Sequence, residues 1–318
     1  MNPSVLAVHI MIGVLGGSGL ILNTVVLYFL CQTQLTSKLT TTLMRSQSVA
    51  DGYSSLIIIL YQILGPQIHT GSDPIDRLLC WFWSHDQLFW FGVSLSVHNI
   101  VCISFDRLIA VVRPIQYRLH QTYLLVVCYV YLIGIVLFLF VPNFLLRDYH
   151  NGTCWYGIPQ ENTAKSRFLV LHSYFWFTLA YLLPALFVVL CHAMIIRYLR
   201  RSQAEVASET PGQGGSINVK RIVTVTAGMA ANLLLFHACE CVRYSLAAMN
   251  VIRYAAGSPE QQAGILLITI SFCINPCLLL YTKASLFVTI RDCICLGIPR
   301  VWGRSKTVLR QRQGLPLQ

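Results

Sequence analysis

Charge is what this chain lacks. Only 11% of its 318 residues are Asp, Glu, Lys or Arg, while 55% are hydrophobic. A soluble domain usually carries about 25% charged residues. So few charges cannot clothe a chain of this length in a water-facing surface, and the membrane class follows. The deficit is concentrated in long runs. Residues 119–146 hold no charged side chain, nor do Gln87–Phe105 or Ala263–Thr282. No signal peptide is visible. The first apolar run is too long for a signal-peptide core, so it is expected to remain as a helix with no extracellular domain ahead of it. No repeat of 20–50 residues and no inverted pairing of halves is present, which argues against a transporter.

Seven stretches are long and apolar enough, or nearly so, to cross a bilayer: about 5–30, 40–64, 82–112, 120–146, 168–199, 218–248 and 262–282. A spanning helix needs roughly 20 residues. Long continuous runs imply helices, since barrel strands would be short and alternating. The expected fold is an all-α membrane protein, a seven-transmembrane helix bundle. Basic residues orient it. Arg77, Arg147, Lys165, Arg167, Arg243 and Arg253 fall on the N-terminal side, and the rest of the 23 fall on the other. The N-terminus is therefore expected outside and the C-terminus inside, in the plasma membrane. The formal charge of +11 then reflects cytoplasmic bias and anionic lipid rather than nucleic acid.

Most of the twelve cysteines lie in apolar spans and read as small packing residues. Cys80 and Cys154 differ. Both face the oxidising side under this topology, and a disulfide between them would tie a loop to the start of span three. Asn151 opens the acceptor sequon Asn-Gly-Thr in that loop. Residues 283–294, "KASLFVTIRDCI", have the look of a short amphipathic eighth helix on the inner surface. Cys293 at its end and Cys295 just beyond are either palmitoylation sites or plain thiols.

Ionisable groups inside a span are functional suspects. Asp51 is mid-span in the second helix. Asn23, Ser96, Asn99, Ser271 and Asn275 lie at comparable depth. Such a set either satisfies the carboxylate or holds a small cation on oxygen ligands. Glu240 lies in the outer part of span six. It either pairs with Arg243 at i+3 or faces a ligand cavity. His237, one turn inward, and the aromatics Phe89, Trp90 and Trp176 could line such a cavity. Pro184 and Pro276 remove helical hydrogen bonds and mark hinges. A membrane enzyme or transporter would need His98, His172, His192 and His237, with Asp51 and Glu240, as metal or proton-relay groups. No His-Glu-x-x-His spacing exists, and these histidines spread over both membrane halves.

Taken in order, these residues resemble a rhodopsin-like (class A) G-protein-coupled receptor, over about residues 5–295. The likeness rests on Asn23, on "SVAD" ending at Asp51, and on "DRLIAVVRPI" from Asp106. It rests too on Cys80 with Cys154, on Pro184 and on Asn275-Pro276. The resemblance implies a receptor domain over 1–295, a cytoplasmic tail over 296–318, an extracellular ligand (peptide or small molecule) and a heterotrimeric G protein as partner. It implies that Asp106 holds Arg107 at rest, that Arg107 meets the G protein, and that Ile115 beside Pro114 plugs into it. Asn23, Asp51, Ser96, Ser271 and Asn275 then surround a sodium ion, with no other cofactor or metal. The ligand pocket is expected among Asp86, Phe89, Trp90, Trp176, His237, Glu240, Arg243 and Tyr244.

The departures are specific. Leu108 replaces the tyrosine after the arginine. Cys239-Glu240-Cys241-Val242 replaces Cys-Trp-x-Pro, Leu279 the last tyrosine of span seven's motif, and His192 the span-five tyrosine. Cys80 precedes Arg107 by two residues more than usual, which implies a bulge or a shifted disulfide. Thr269 stands where opsins carry lysine, so no retinal Schiff base is expected. The pattern resembles divergent invertebrate orphan receptors, and a receptor-like protein that no longer couples is the alternative.

Overall fold

The computed structural model describes residues 3–32, 37–65, 67–156, 163–207, 216–248, 251–252 and 258–282. The expected eighth helix, Cys293, Cys295 and the tail lie outside these residues, as does the side chain of Tyr244.

Span one is α1 (Pro3–Gln32) and span two is α2 (Lys38–Leu64). Ser37 caps α2, its Oγ accepting from the Thr40 amide at 3.1 Å. Gly65 ends it with φ 81°, a conformation glycine adopts without strain. Span three is built in two pieces, α3 (Asp73–Phe82) and α4 (Gln87–Val112). Asp73, Pro74 and Asp76 start the first piece in the way helix N-termini favour. Between the pieces runs a 3₁₀ turn at Ser84–Asp86. Asp86 leaves that turn in the left-handed region, with φ 57°. This break is where the two extra residues between Cys80 and Arg107 are absorbed.

A short helix, α5 (Pro114–Leu119), at the bundle end called inner after the expected orientation, leads into span four, α6 (Gln121–Phe140). An outer hairpin follows, β1 (Arg147–His150) against β2 (Thr153–Tyr156), with Arg147 opposite Tyr156. Asn151 and Gly152, both with positive φ, make its tight turn. Cys80 and Cys154 are joined by a disulfide with Cα atoms 5.4 Å apart, so the pairing is not shifted. Span five comprises α7 (Ala164–Phe177), a π-helical turn at Thr178–Leu182 and α8 (Leu183–Ala207). Pro184 follows that turn. Its missing N–H and bulky ring disfavour a regular i−4 bond there, and the backbone widens instead. Spans six and seven are α9 (Ser216–Ala248) and α10 (Pro259–Thr282), the latter with Pro276 inside it.

Six of these helical stretches are long and apolar enough to cross a membrane by composition alone. The second span falls short because it carries polar residues. Thr40, Gln47, Ser48, Asp51, Ser54 and Ser55 are all buried in the bundle. That span packs against α1 and α4, while α4 also touches α6, α8 and α9 and is the central post. Two apolar cores result. One joins Ile57, Phe89, Trp90, Val97, Trp176 and Phe272 toward the outer half. The other joins Leu43, Ile103, Tyr117, Val225, Met229 and Leu279 toward the inner end. A belt of buried polar side chains lies between them.

Candidate functional site

The inner end of span three holds a closed polar network. The Asp106 carboxylate is 1% exposed and the Arg107 side chain nearly as buried. Arg107 Nε donates to Asp106 Oδ2 at 2.9 Å, and Arg107 Nη2 donates to the same oxygen and to Thr40 Oγ1. Thr40 Oγ1 donates to Asp106 Oδ2 at 2.9 Å. From α5, the Tyr117 hydroxyl donates to Asp106 Oδ1 at 2.6 Å and shares a 2.5 Å hydrogen bond with Ser37 Oγ. Burial first, and then the Asp106 charge, push the Tyr117 phenol above its ordinary pKa. It therefore stays a donor. A desolvated ion pair survives only with such supporting hydrogen bonds. Pro114 opens α5 at its first turn, where its absent N–H costs nothing. Ile115 beside it is 76% exposed.

Deeper in, Asp51 Oδ1 accepts from Ser96 Oγ at 2.5 Å and from Gln47 Nε2 at 3.0 Å. Asp51 Oδ2 accepts from Asn275 Nδ2 at 2.9 Å. Asn232 Nδ2 donates to Asn275 Oδ1 at 2.7 Å and to Ser271 Oγ at 3.3 Å. The belt therefore links spans two, three, six and seven. Asn23 stands apart from the carboxylate, donating to Gly19 O and Phe272 O, both at 2.9 Å. Ser271 reaches Asp51 only through Asn232 and Asn275. Nothing marked Asn232 beforehand. Gln47 carried a signal, since it lies one helical turn before Asp51.

In the outer half, Glu240 and Arg243 form a two-pronged ion pair, with bonds of 2.8 and 2.5 Å. Glu240 is 1% exposed. Gly264 of span seven lies against its carboxylate so closely that a Cβ there would overlap it. Asp86, freed from helix by the break in span three, accepts from Gln261 Nε2 of span seven. Its amide donates to the Tyr61 hydroxyl at 3.2 Å. Arg147 donates to the carbonyls of Ser84 and Asn143, which holds the hairpin to this turn. Below lie the rings. Trp90 meets Trp176 edge-on at 5.5 Å, and Phe89 meets both Trp90 and Phe272. His237 is buried on the same helix face as Glu240. The structure thus brings Asp86, Phe89, Trp90, Trp176, His237, Glu240 and Arg243 into the outer half of one bundle. Gln261 and Arg147 join them; the sequence marked Arg147 only as a basic residue of the N-terminal side and Gln261 not at all. Asn151 sits exposed at the hairpin tip.

Among the described residues, no group of three or more His, Cys, Asp or Glu side chains could hold a metal ion. The fold has counterparts among known proteins. Residues 22–280 match the family model described as 7 transmembrane receptor (rhodopsin family). This chain belongs to that family. It is a seven-span membrane receptor rather than an enzyme or a transporter.

Cysteinyl leukotriene receptor 1 of Homo sapiens is 27% identical over 236 residues, covering 71% of this chain and 65% of that receptor. The Mus musculus receptor of the same name is 25% identical over 223 residues, covering 68% and 60%. The match therefore spans a little under two thirds of the relatives' own length. Squid rhodopsin superposes with a TM-score of 0.70 over the whole of this chain and 93% of its own, at 15% identity, a likeness of fold alone. Within the rhodopsin family, the break at 83–86 explains how this receptor keeps the outer disulfide despite its longer spacing.

Proposed function

We propose that this receptor binds a ligand from the extracellular side in the outer half of its bundle and activates a heterotrimeric G protein at the inner end of span three. The observation that carries this reading is the Asp106–Arg107–Thr40–Tyr117 network. It holds a buried guanidinium through neighbours on span two and α5, a resting state that a ligand favouring the other shape can release. The basic bias of the inner loops supports an N-out orientation in the plasma membrane. The relatives are named for cysteinyl leukotrienes, and at 25–27% identity that name carries over only as a class of ligand to try. Asp86, Glu240, Arg147 and Arg243 beside several rings favour a ligand of mixed polar and aromatic character. The oxygens of Asp51, Ser96 and Asn275 suit a small hard cation such as sodium, whose binding would compete with the Gln47 and Asn275 amides for the carboxylate. Asn151 is a fitting site for N-linked sugar.

The test is nucleotide exchange on a panel of purified G proteins, driven by a ligand found by screening cells that express the chain. Arg107→Ala is expected to abolish stimulated exchange with surface expression retained. Undiminished exchange by that variant would remove the proposed role, and no exchange by the parent on any G protein would favour a receptor that no longer couples.

A further inference from the structure

Two cysteines from different spans meet at the wall of a cavity. The cavity, of about 360 Å³, lies between spans three, four and five. Val127 and Leu183 on its rim are exposed, so it opens toward lipid. Its lining is apolar except where Cys102, Cys128 and Tyr131 contribute. The thiols of Cys102 and Cys128 are hydrogen-bonded to each other, and Cys102 Sγ also lies 3.8 Å from Cys128 O. One buried cysteine is a small packing residue. Two in contact, on a surface that a membrane-dissolved molecule can reach, can also be joined by loss of two hydrogens.

Tyr131 lies one turn after Cys128 on the same face of span four, and His98 one turn before Cys102 on span three. His98 Nδ1 and the Tyr131 hydroxyl share a 2.9 Å hydrogen bond. His98 is 1% exposed, and its Nε2 has no hydrogen-bond partner. Buried N–H groups without an acceptor are rare. The ring proton is therefore assigned to Nδ1, and His98 donates to the Tyr131 oxygen. The Tyr131 proton is then left for a molecule in the cavity that Tyr131 lines. These groups define an occupant. It enters from lipid, is apolar over most of its length, offers an oxygen to the Tyr131 hydroxyl and reacts with a pair of thiols.

We propose that this cavity is an oxidation site, at which the hydroperoxide of a lipid acyl chain converts Cys102 and Cys128 to a disulfide joining spans three and four. Cys128 attacks, because it shares a helix face with Tyr131 while the Cys102 proton is directed at Cys128 O. Its sulfur bonds to the terminal oxygen of the hydroperoxide, and the O–O bond breaks. The departing oxygen takes the Tyr131 proton as the Tyr131 oxygen takes the thiol proton. The products are a sulfenic acid on Cys128, a lipid alcohol and an unchanged tyrosine. The Cys102 sulfur then displaces the sulfenic hydroxyl, which leaves with the Cys102 proton as water. The two thiols lose two electrons and the hydroperoxide gains them. A thiol in apolar surroundings is normally inert, because the thiolate is the usual nucleophile. Moving the proton through Tyr131 as the bond forms avoids that charge. The new bond would fasten span three one turn before Asp106.

The experiment treats the full-length receptor in phosphatidylcholine nanodiscs with linoleic acid hydroperoxide, blocks the remaining thiols and maps peptides by mass spectrometry. The expected product is a peptide pair joined through Cys102 and Cys128, with one lipid alcohol formed per bond. A parallel arm carries the hydroperoxide on phosphatidylcholine. The bond in either arm supports the site, and the faster arm identifies the source. The matching lipid alcohol should form no bond, and hydrogen peroxide at equal concentration should be about tenfold slower or more, since it lacks the apolar body. Cys102→Ser should leave a sulfenic acid on Cys128 that dimedone traps. Tyr131→Phe should slow the hydroperoxide about a hundredfold. It should leave perdecanoic acid little changed, because a carboxylate departs without needing a proton. A merely structural role for Tyr131 would slow both oxidants alike. The proposal falls if the Cys102–Cys128 bond does not exceed the alcohol control, if hydrogen peroxide is equally fast, or if Tyr131→Phe slows both oxidants or neither. Comparing hydroperoxide, alcohol and hydrogen peroxide needs no variant and decides the question even if Tyr131→Phe fails to fold.

Discussion

By the resemblance, Glu240 stands where such receptors carry tryptophan, and its neighbours show how a buried carboxylate is tolerated there. Arg243 supplies two donors from one helical turn away, and Gly264 leaves room for the carboxylate against span seven. Breaking a buried pair by removing one partner costs about 3–5 kcal/mol, whereas removing both is far milder. Arg243→Ala is therefore expected to lower the melting temperature of the purified receptor markedly, and Glu240→Ala with Arg243→Ala to recover most of the loss. Gly264→Ala should resemble the single variant, because a Cβ would displace the carboxylate. A thermal shift series checks all three. The i+3 spacing made this pair legible in the sequence. The role of Gly264 was not, since it arises from contact between two spans.

Among the elements, span three shows what spacing can and cannot tell. Two extra residues before Arg107 predicted either a bulge or a displaced disulfide. Only the structure distinguishes them, with a 3₁₀ turn and a left-handed Asp86 taking up the difference. The seven spans themselves were legible, because lipid demands continuous apolar helix and forbids most alternatives. The second span was the least distinct, for its polar side chains belong to the belt it shares with spans three and seven. Partners such as Thr40 and Asp106, or Gln261 and Asp86, are separated by 66 and 175 residues, and no local pattern marks them. The hairpin is held to span three by Cys80–Cys154, with Cys154 opposite Tyr149 in its ladder. Loss of a disulfide closing so long a loop typically costs about 2–4 kcal/mol. Cys154→Ser should reduce surface expression and raise protease sensitivity of residues 147–156, measured by limited digestion on intact cells.

For the whole molecule, the proposed activation places the opening of the bundle at the inner ends of spans two, three, five and six. Arg107 is held by Asp106 and Thr40. Independently, His192 Nε2 meets Thr226 Oγ1 at 3.4 Å, while His192 Nδ1 is directed at Val188 O, 2.9 Å away. That contact ties span five to span six at the position where, by the resemblance, such receptors carry tyrosine. On the proposed reading, each tie stabilises the closed shape over the open one. A hydrogen bond to a charged group contributes about 1.5–3 kcal/mol, so Thr40→Ala should raise basal nucleotide exchange roughly tenfold or more. The long, neutral contact to Thr226 is weaker, and Thr226→Ala should raise it by about twofold to fivefold. If both contacts bias one equilibrium, the double variant multiplies the two effects until the open state dominates, after which basal exchange reaches a ceiling. Basal exchange measured across a range of receptor densities distinguishes this from two separate local effects, in which the double variant would show no such ceiling.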